Sequence, residues 1–158
     1  MYTGIEMRIA FDVLGTPAPK GSSRAMMRGG HAVNVPSGSD TNRNKQKAWD
    51  TSVREAANLV LQSSWEELPF RGVPLRVTLI FRVRRPIGHY NAKTGALKPS
   101  APKWPITKPD KDKMFRATAD SLTGILIDDD SRIVETHERK QYAEPGNEGA
   151  RIVIEVMQ

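Results

Sequence analysis

The chain contains no cysteine. That excludes disulfides and thiolate metal sites and points to a reducing compartment. No apolar run approaches the roughly 20 residues that a membrane-spanning helix needs. The opening MYTGIEMRIAF lacks the apolar core of a secretory signal, so a cytosolic protein without a membrane partner is expected. Acidic residues are scarce in one stretch. From Arg82 to Arg116, ten Lys or Arg stand against two acids, Asp110 and Asp112, a local net charge of +8 within a chain whose total is +6. A concentrated basic segment fits a polyanionic partner; a solvated lysine-rich loop gives the same composition.

What is present suffices for one ordinary core: 158 residues, of which 38% are hydrophobic, in both alternating and helical patterns. Residues 7 to 14 read as a first strand. From Thr16 to about Asp40 the chain is rich in Pro, Gly and Ser, with a Gly29-Gly30 pair, and reads as a loop. A helix starts near Asp40 or Thr41, both suitable N-caps, and carries Trp49, Val53, Ala56 and Val60 as its buried stripe. Pro69 and Gly72 mark a connection. Leu75, Val77, Leu79, Phe81 and Val83 alternate with Arg76, Thr78, Ile80 and Arg82 in the clearest strand of the sequence.

Residues 84 to 107 read as a second long loop, with Tyr90 and Trp104 among its lysines; loops of this length are usually functional or disordered. Both loops, 16–40 and 84–107, are expected to be mobile. A second helix follows Pro109 and runs to about Thr123, with Gly124 as C-cap. Met114, Thr118 and Ser121 lie on one side of it; Phe115, Ala119 and Leu122 lie on the adjacent, more apolar side. Two final strands, 132–141 and 150–156, flank a Glu144-Pro145-Gly146-Asn147 turn. The order predicts a single α+β domain over residues 1–158, with a small mixed or antiparallel sheet and two main helices.

Asp110 and Asp112 open the second helix, and Asp128, Asp129 and Asp130 follow it. Hydrolysis of a phosphodiester needs neutralised phosphate charge and an activated water, and Mg²⁺ held by carboxylates provides both. Packed acids repel unless a cation sits between them, so acids inside a basic segment suit a metal site on a nucleic-acid face. A helix of about 15 residues spans roughly 22 Å, so the two acidic groups meet only if the chain folds back to join them. A bland origin accounts for the same residues equally well. First-turn acids complement the helix dipole, and Asp112, Arg116 and Asp120 form a plain salt-bridged ridge.

Further order resides in the segment Lys108-Pro109-Asp110-Lys111-Asp112-Lys113, then Arg116, Asp120-Ser121-Leu122-Thr123-Gly124, and Asp129-Asp130-Ser131-Arg132-Ile133-Val134. This resembles the RusA family of Holliday-junction resolvases, which reads as a basic residue, P-D-x-D-N, a lysine, D-A-L-N/T, and D-D before an aliphatic pair. A further family lysine falls at Lys140. Gly15-Thr16-Pro17-Ala18-Pro19-Lys20-Gly21 is similar to the family's opening G-x-P-x-x-K-G loop.

The resemblance implies a homodimeric, Mg²⁺-dependent endodeoxyribonuclease of α+β fold, with Mn²⁺ as an alternative ion and no small-molecule cofactor. Its substrate is implied to be branched DNA, a four-way junction cut symmetrically, in the cytoplasm of a bacterium or phage-infected cell. By position, Asp110 and Asp112 match the paired metal ligands and Asp130 the third catalytic aspartate, with neighbouring Asp129 as a substitute ligand. Arg116 and Lys140 are assigned to phosphate charge, and Lys20, Arg24, Lys108, Lys111 and Lys113 to DNA binding. Two departures stand out. Lys113 replaces the family's asparagine, and Arg116 replaces its lysine; arginine can neutralise phosphate but cannot give up a proton. A junction-binding module with impaired catalysis is therefore the second expectation, and an unrelated basic scaffold the third. His31, His89 and His137 have no metal-ligand spacing.

Overall fold

The computed structural model describes residues 7–21, 23–36, 39–64 and 70–158, with the backbone alone at 23, 24, 35, 36 and 64. Pro69, placed above in a connection, and the extreme N-terminus lie outside the described residues. Strand β1 (Arg8–Leu14) is followed by a hairpin, β2 (Ser23–Arg28) and β3 (His31–Pro36). Helix α1 (Asp40–Ser64), strand β4 (Leu75–Val83), helix α2 (Lys111–Leu122) and strands β5 (Ile133–Tyr142) and β6 (Gly149–Val156) complete the chain. The main sheet has the order β1-β6-β4-β5. Strand β6 runs antiparallel to both β1 and β4, and β5 runs parallel to β4. The α+β expectation with a mixed sheet and two helices holds.

The reading of residues 16–40 as one loop is corrected by the hairpin. Gly29 and Gly30 sit at φ 58° and 80°, the positive pair that a two-residue type I′ turn requires and that only glycine adopts freely. The signal was the Gly-Gly pair itself. It was masked because the flanking residues do not alternate apolar with polar. The second long loop, 84–107, contains a 3₁₀ turn at Ile87–His89 and a bridge between Tyr90 and Leu97. Arg85 anchors it, with its guanidinium 3.9 Å from the centre of the Tyr142 ring and donating to the Pro102 carbonyl at 2.7 Å.

Strand β4 buries every second residue, from Leu75 to Val83, against the helices. Helix α1 contributes Trp49, Val53 and Ala57 to that core, and α2 contributes Met114 and Leu122. Ser39 caps α1, its hydroxyl accepting from the Asn42 N–H at 3.4 Å. The polar side of α2 faces α1 rather than solvent: the Trp49 indole donates to the Thr118 hydroxyl at 3.0 Å, and the Ser121 hydroxyl to Asp50 at 2.6 Å. Gly149 opens β6 against β1; a Cβ there would lie 1.9 Å from the Val13 carbonyl oxygen.

Among the described residues no helix covers the opposite face of the sheet. A row of charges crosses all four strands there, Arg8 to Glu155 to Arg76 to Glu135, each residue beside the next in register. Arg76 grips Glu135 through two bonds of 2.8 and 3.1 Å, and the His137 ring meets the same carboxylate at 2.6 Å. Those contacts, Arg76 first and His137 second, depress the Glu135 pKa to about 2. Asp12, at the other end of this face, is pushed up by burial but held below the usual carboxylate range by bonds from Arg151 and Arg82.

Candidate functional site

Parallel strands need a crossover connection. Here the 84–107 loop and α2 supply it between β4 and β5. The helix of such a crossover runs back against the strand direction, so its N-terminus lies at the carboxyl ends of β4 and β5 and its C-terminus at their amino ends. Two contacts confirm the placement: Lys140, late in β5, donates to the carbonyls of Thr107 and Pro109 at 2.6 and 3.0 Å, and Lys111 pairs with the mostly buried Glu138 at 2.7 Å. At the other end, the Gly72 N–H before β4 donates to Asp128 at 3.2 Å.

Asp110 is the N-cap residue of α2, in extended conformation, yet its side chain makes no capping hydrogen bond. The carboxylate instead lines an open cleft of about 630 Å³ whose other walls are Thr16–Gly21, Asn42, Lys45, Gln46, Lys108, Pro109 and Lys113. Four lysines thus surround one aspartate. The Lys20 N–H, donating to the Lys113 carbonyl at 3.1 Å, ties the two sides of the cleft together, and its ammonium pairs with Asp120. Asp112 lies in the first turn of α2 and is 70% exposed. Each acid has a counter-ion on its own helix: Lys113 lies 3.4 Å from Asp110, and Arg116 lies 3.6 Å from Asp112.

The third group is elsewhere. Asp129 accepts from the Ser131 N–H at 2.8 Å and caps a 3₁₀ turn at Asp130–Arg132. Bonds from Ser131 first, then Asp130, with the charge of Arg132, lower the Asp129 pKa. Asp128 is held by Gly72 and by Arg132 at 3.4 Å. From Ile133 to Lys140 the extended chain covers about 23 Å, so Asp129 and Asp130 lie on the order of 20 Å from Asp110 and Asp112. Among the described residues no three carboxylates or imidazoles gather closely enough to hold a metal ion.

The structure therefore brings together Asp110, Lys20, Lys108 and Lys113 in the cleft, sets Asp112 on the first turn of α2 outside the residues that line it, and leaves Asp129 and Asp130 apart. Lys111 is engaged by Glu138 and Lys140 by two backbone carbonyls. Arg24 lies on β2, with its side chain outside the described residues. Sequence reasoning missed Asn42, Lys45 and Gln46, whose place in the cleft follows from the packing of α1 against α2 and from no motif.

A mixed sheet with helices on one face defines an α+β protein, and its lysine-lined cleft lies at the carboxyl ends of the parallel strands, where open α/β sheets hold ligands. The model of the family described as Endodeoxyribonuclease RusA matches residues 15–157, and the chain belongs to that family of nucleases, which act on branched DNA junctions. None of the curated proteins compared matches the chain. Among the described residues no helix is long and apolar enough to cross a membrane.

Proposed function

We propose that the chain is an endodeoxyribonuclease that resolves four-way DNA junctions by paired, divalent-metal-dependent hydrolysis. One observation carries this: within a chain matched almost throughout by the RusA family, Asp110 makes no capping bond and lines a lysine-rich cleft, with Asp112 two residues further on in the first turn of α2. Lys20, Lys45, Lys108 and Lys113 hold a DNA phosphate there. Arg116 neutralises charge that develops on it. Lys140 acts as a positioning residue, fixing the segment that delivers Asp110.

Two exposed carboxylates are hard oxygen donors that suit Mg²⁺ or Mn²⁺, but a single chain offers an incomplete set. A second copy completes it, with Asp130 and Asp129 of one chain joining Asp110 and Asp112 of the other. This is the physical basis on which we infer a homodimer, and two such sites on a two-fold axis match the symmetry of a four-way junction.

A second reading is supported by the two counter-ions. The residues that depart from the family pattern, Lys113 and Arg116, are the ones paired with Asp110 and Asp112, so the acids are neutralised without a metal and the protein binds junctions without cutting them. Magnitude favours the first reading. Exposed ion pairs of this kind contribute about 0–1 kcal/mol, too little to bar a divalent cation.

A labelled junction and a linear duplex of the same sequence, incubated with Mg²⁺ or EDTA, separate the two. Resolution predicts paired nicks on the junction alone, lost in EDTA and in Asp112→Asn, whose binding persists. Tight junction binding with no nicks under any condition, and recovery of cutting in Lys113→Asn/Arg116→Lys, would establish the second.

A further inference from the structure

Beyond Arg24, the β2–β3 hairpin has no role in the site described so far. Every side chain from Ala25 to Asn34 is exposed, and among the described residues the two strands pack on each other without substantial packing on any other element. A two-stranded ribbon with no third strand or helix against it is marginal in water, so this one contributes little to the stability of the core. Its charge is one-sided: residues 23–36 include Arg24 and Arg28 and no acid. Both of its ends enter the walls of the lysine cleft, through Thr16–Gly21 on one side and Asn42–Gln46 on the other. In register, Arg28 lies opposite His31 and Met26 opposite Val33, so these four share one face. The Gly29-Gly30 tip carries no side chain and is the thinnest part of the ribbon.

We propose that this ribbon is an arm that lies in the major groove of the duplex flanking the strand held in the cleft, with Arg28 and His31 donating to its phosphates. The inference rests on the DNA-cleaving reading and deepens it by assigning a second contact zone. Fit decides the groove. The two strands are about 4.8 Å apart before side chains are added; a major groove about 12 Å wide admits such a ribbon, and a minor groove about 6 Å wide does not. Reach sets the distance. From Gly21 to the tip at Gly29, extended chain covers roughly 26 Å, or about seven to eight base pairs at ~3.4 Å each.

The test uses the full chain, with Arg28→Ala and with residues 25–34 replaced by a short Gly-Ser linker. Both changes leave the packed core untouched. Binding to a labelled four-way junction and to linear duplex is measured in EDTA across a salt series, together with a backbone-cleavage footprint. Arg28→Ala is expected to weaken binding to both DNAs roughly fivefold at ~0.15 M salt and to lower the log–log salt slope by about 0.9, the counterion release of one phosphate contact. The linker variant is expected to lose the outer protection, about seven base pairs from the cleft, while protection at the cleft persists. Unchanged affinity, salt slope and footprint in both variants, with the unaltered chain binding and cutting normally, overturns the arm alone. No DNA binding by the unaltered chain overturns the endonuclease reading and the arm together.

Discussion

Asp110 shows how a residue's place can mislead. An aspartate before a helix normally caps it, and by spacing alone that accounts for this one equally well. The structure leaves its carboxylate out of the cap and in the cleft, which spacing could not show. Other polar residues are structural without ambiguity. Thr118→Val removes the acceptor of the buried Trp49 indole and is expected to lower unfolding free energy by about 1–3 kcal/mol, measured by urea titration; an unchanged midpoint would mean the indole finds another partner. Glu135 supplies a pH test. Its folded pKa, about 2 against an ordinary 4.5, means its ionised form stabilises the fold above pH 4.5 and that this contribution fades as pH falls from 4.5 towards 2. The melting temperature of Glu135→Gln should therefore fall less across that window than that of the unaltered chain. Parallel curves would show that the Arg76 and His137 contacts contribute nothing.

The elements differ in how openly the sequence declares them. Strand β4 could be read residue by residue because burial on one face alone imposes strict alternation. Helix α1 was legible for the same reason at a period near four, although Ala57 rather than Ala56 reaches full burial. The β2–β3 ribbon buries neither face, so no hydrophobic period marks it. The length of α2 already set the two acidic groups apart; whether the chain folds back to join them was hidden, since that depends on β5 pairing parallel to β4, and pairing partners are not written in local pattern. One glycine is decisive at this scale. Gly149 has φ 153° and the Val13 carbonyl pressed against its α-carbon, so Gly149→Ala must separate β1 from β6. A loss of roughly 3 kcal/mol or more is expected by denaturant unfolding, whereas Gly72→Ala, with open space around it, is expected to cost less despite its positive φ.

At the scale of the molecule, α2 acts as a spacer with acids beyond each end. Mixing Asp112→Asn with Asp130→Asn chains tests whether those ends serve different sites. Two inactive proteins should yield a mixture that nicks, because a mixed dimer holds one intact set, and those nicks should fall on one strand per junction without the paired cut. No activity in the mixture, at concentrations where the unaltered protein cuts, would place all the acids of a site in one chain.

The distance between the two ends of α2 has a consequence for dose. On the proposed shared site, a chain that cannot assemble its reactive acids alone would be inert when dilute, and below the dimer dissociation constant its cutting rate would climb with the square of its concentration. Supply would then act as the safety catch: a lone chain on DNA would do no harm, and damage would require a second arrival.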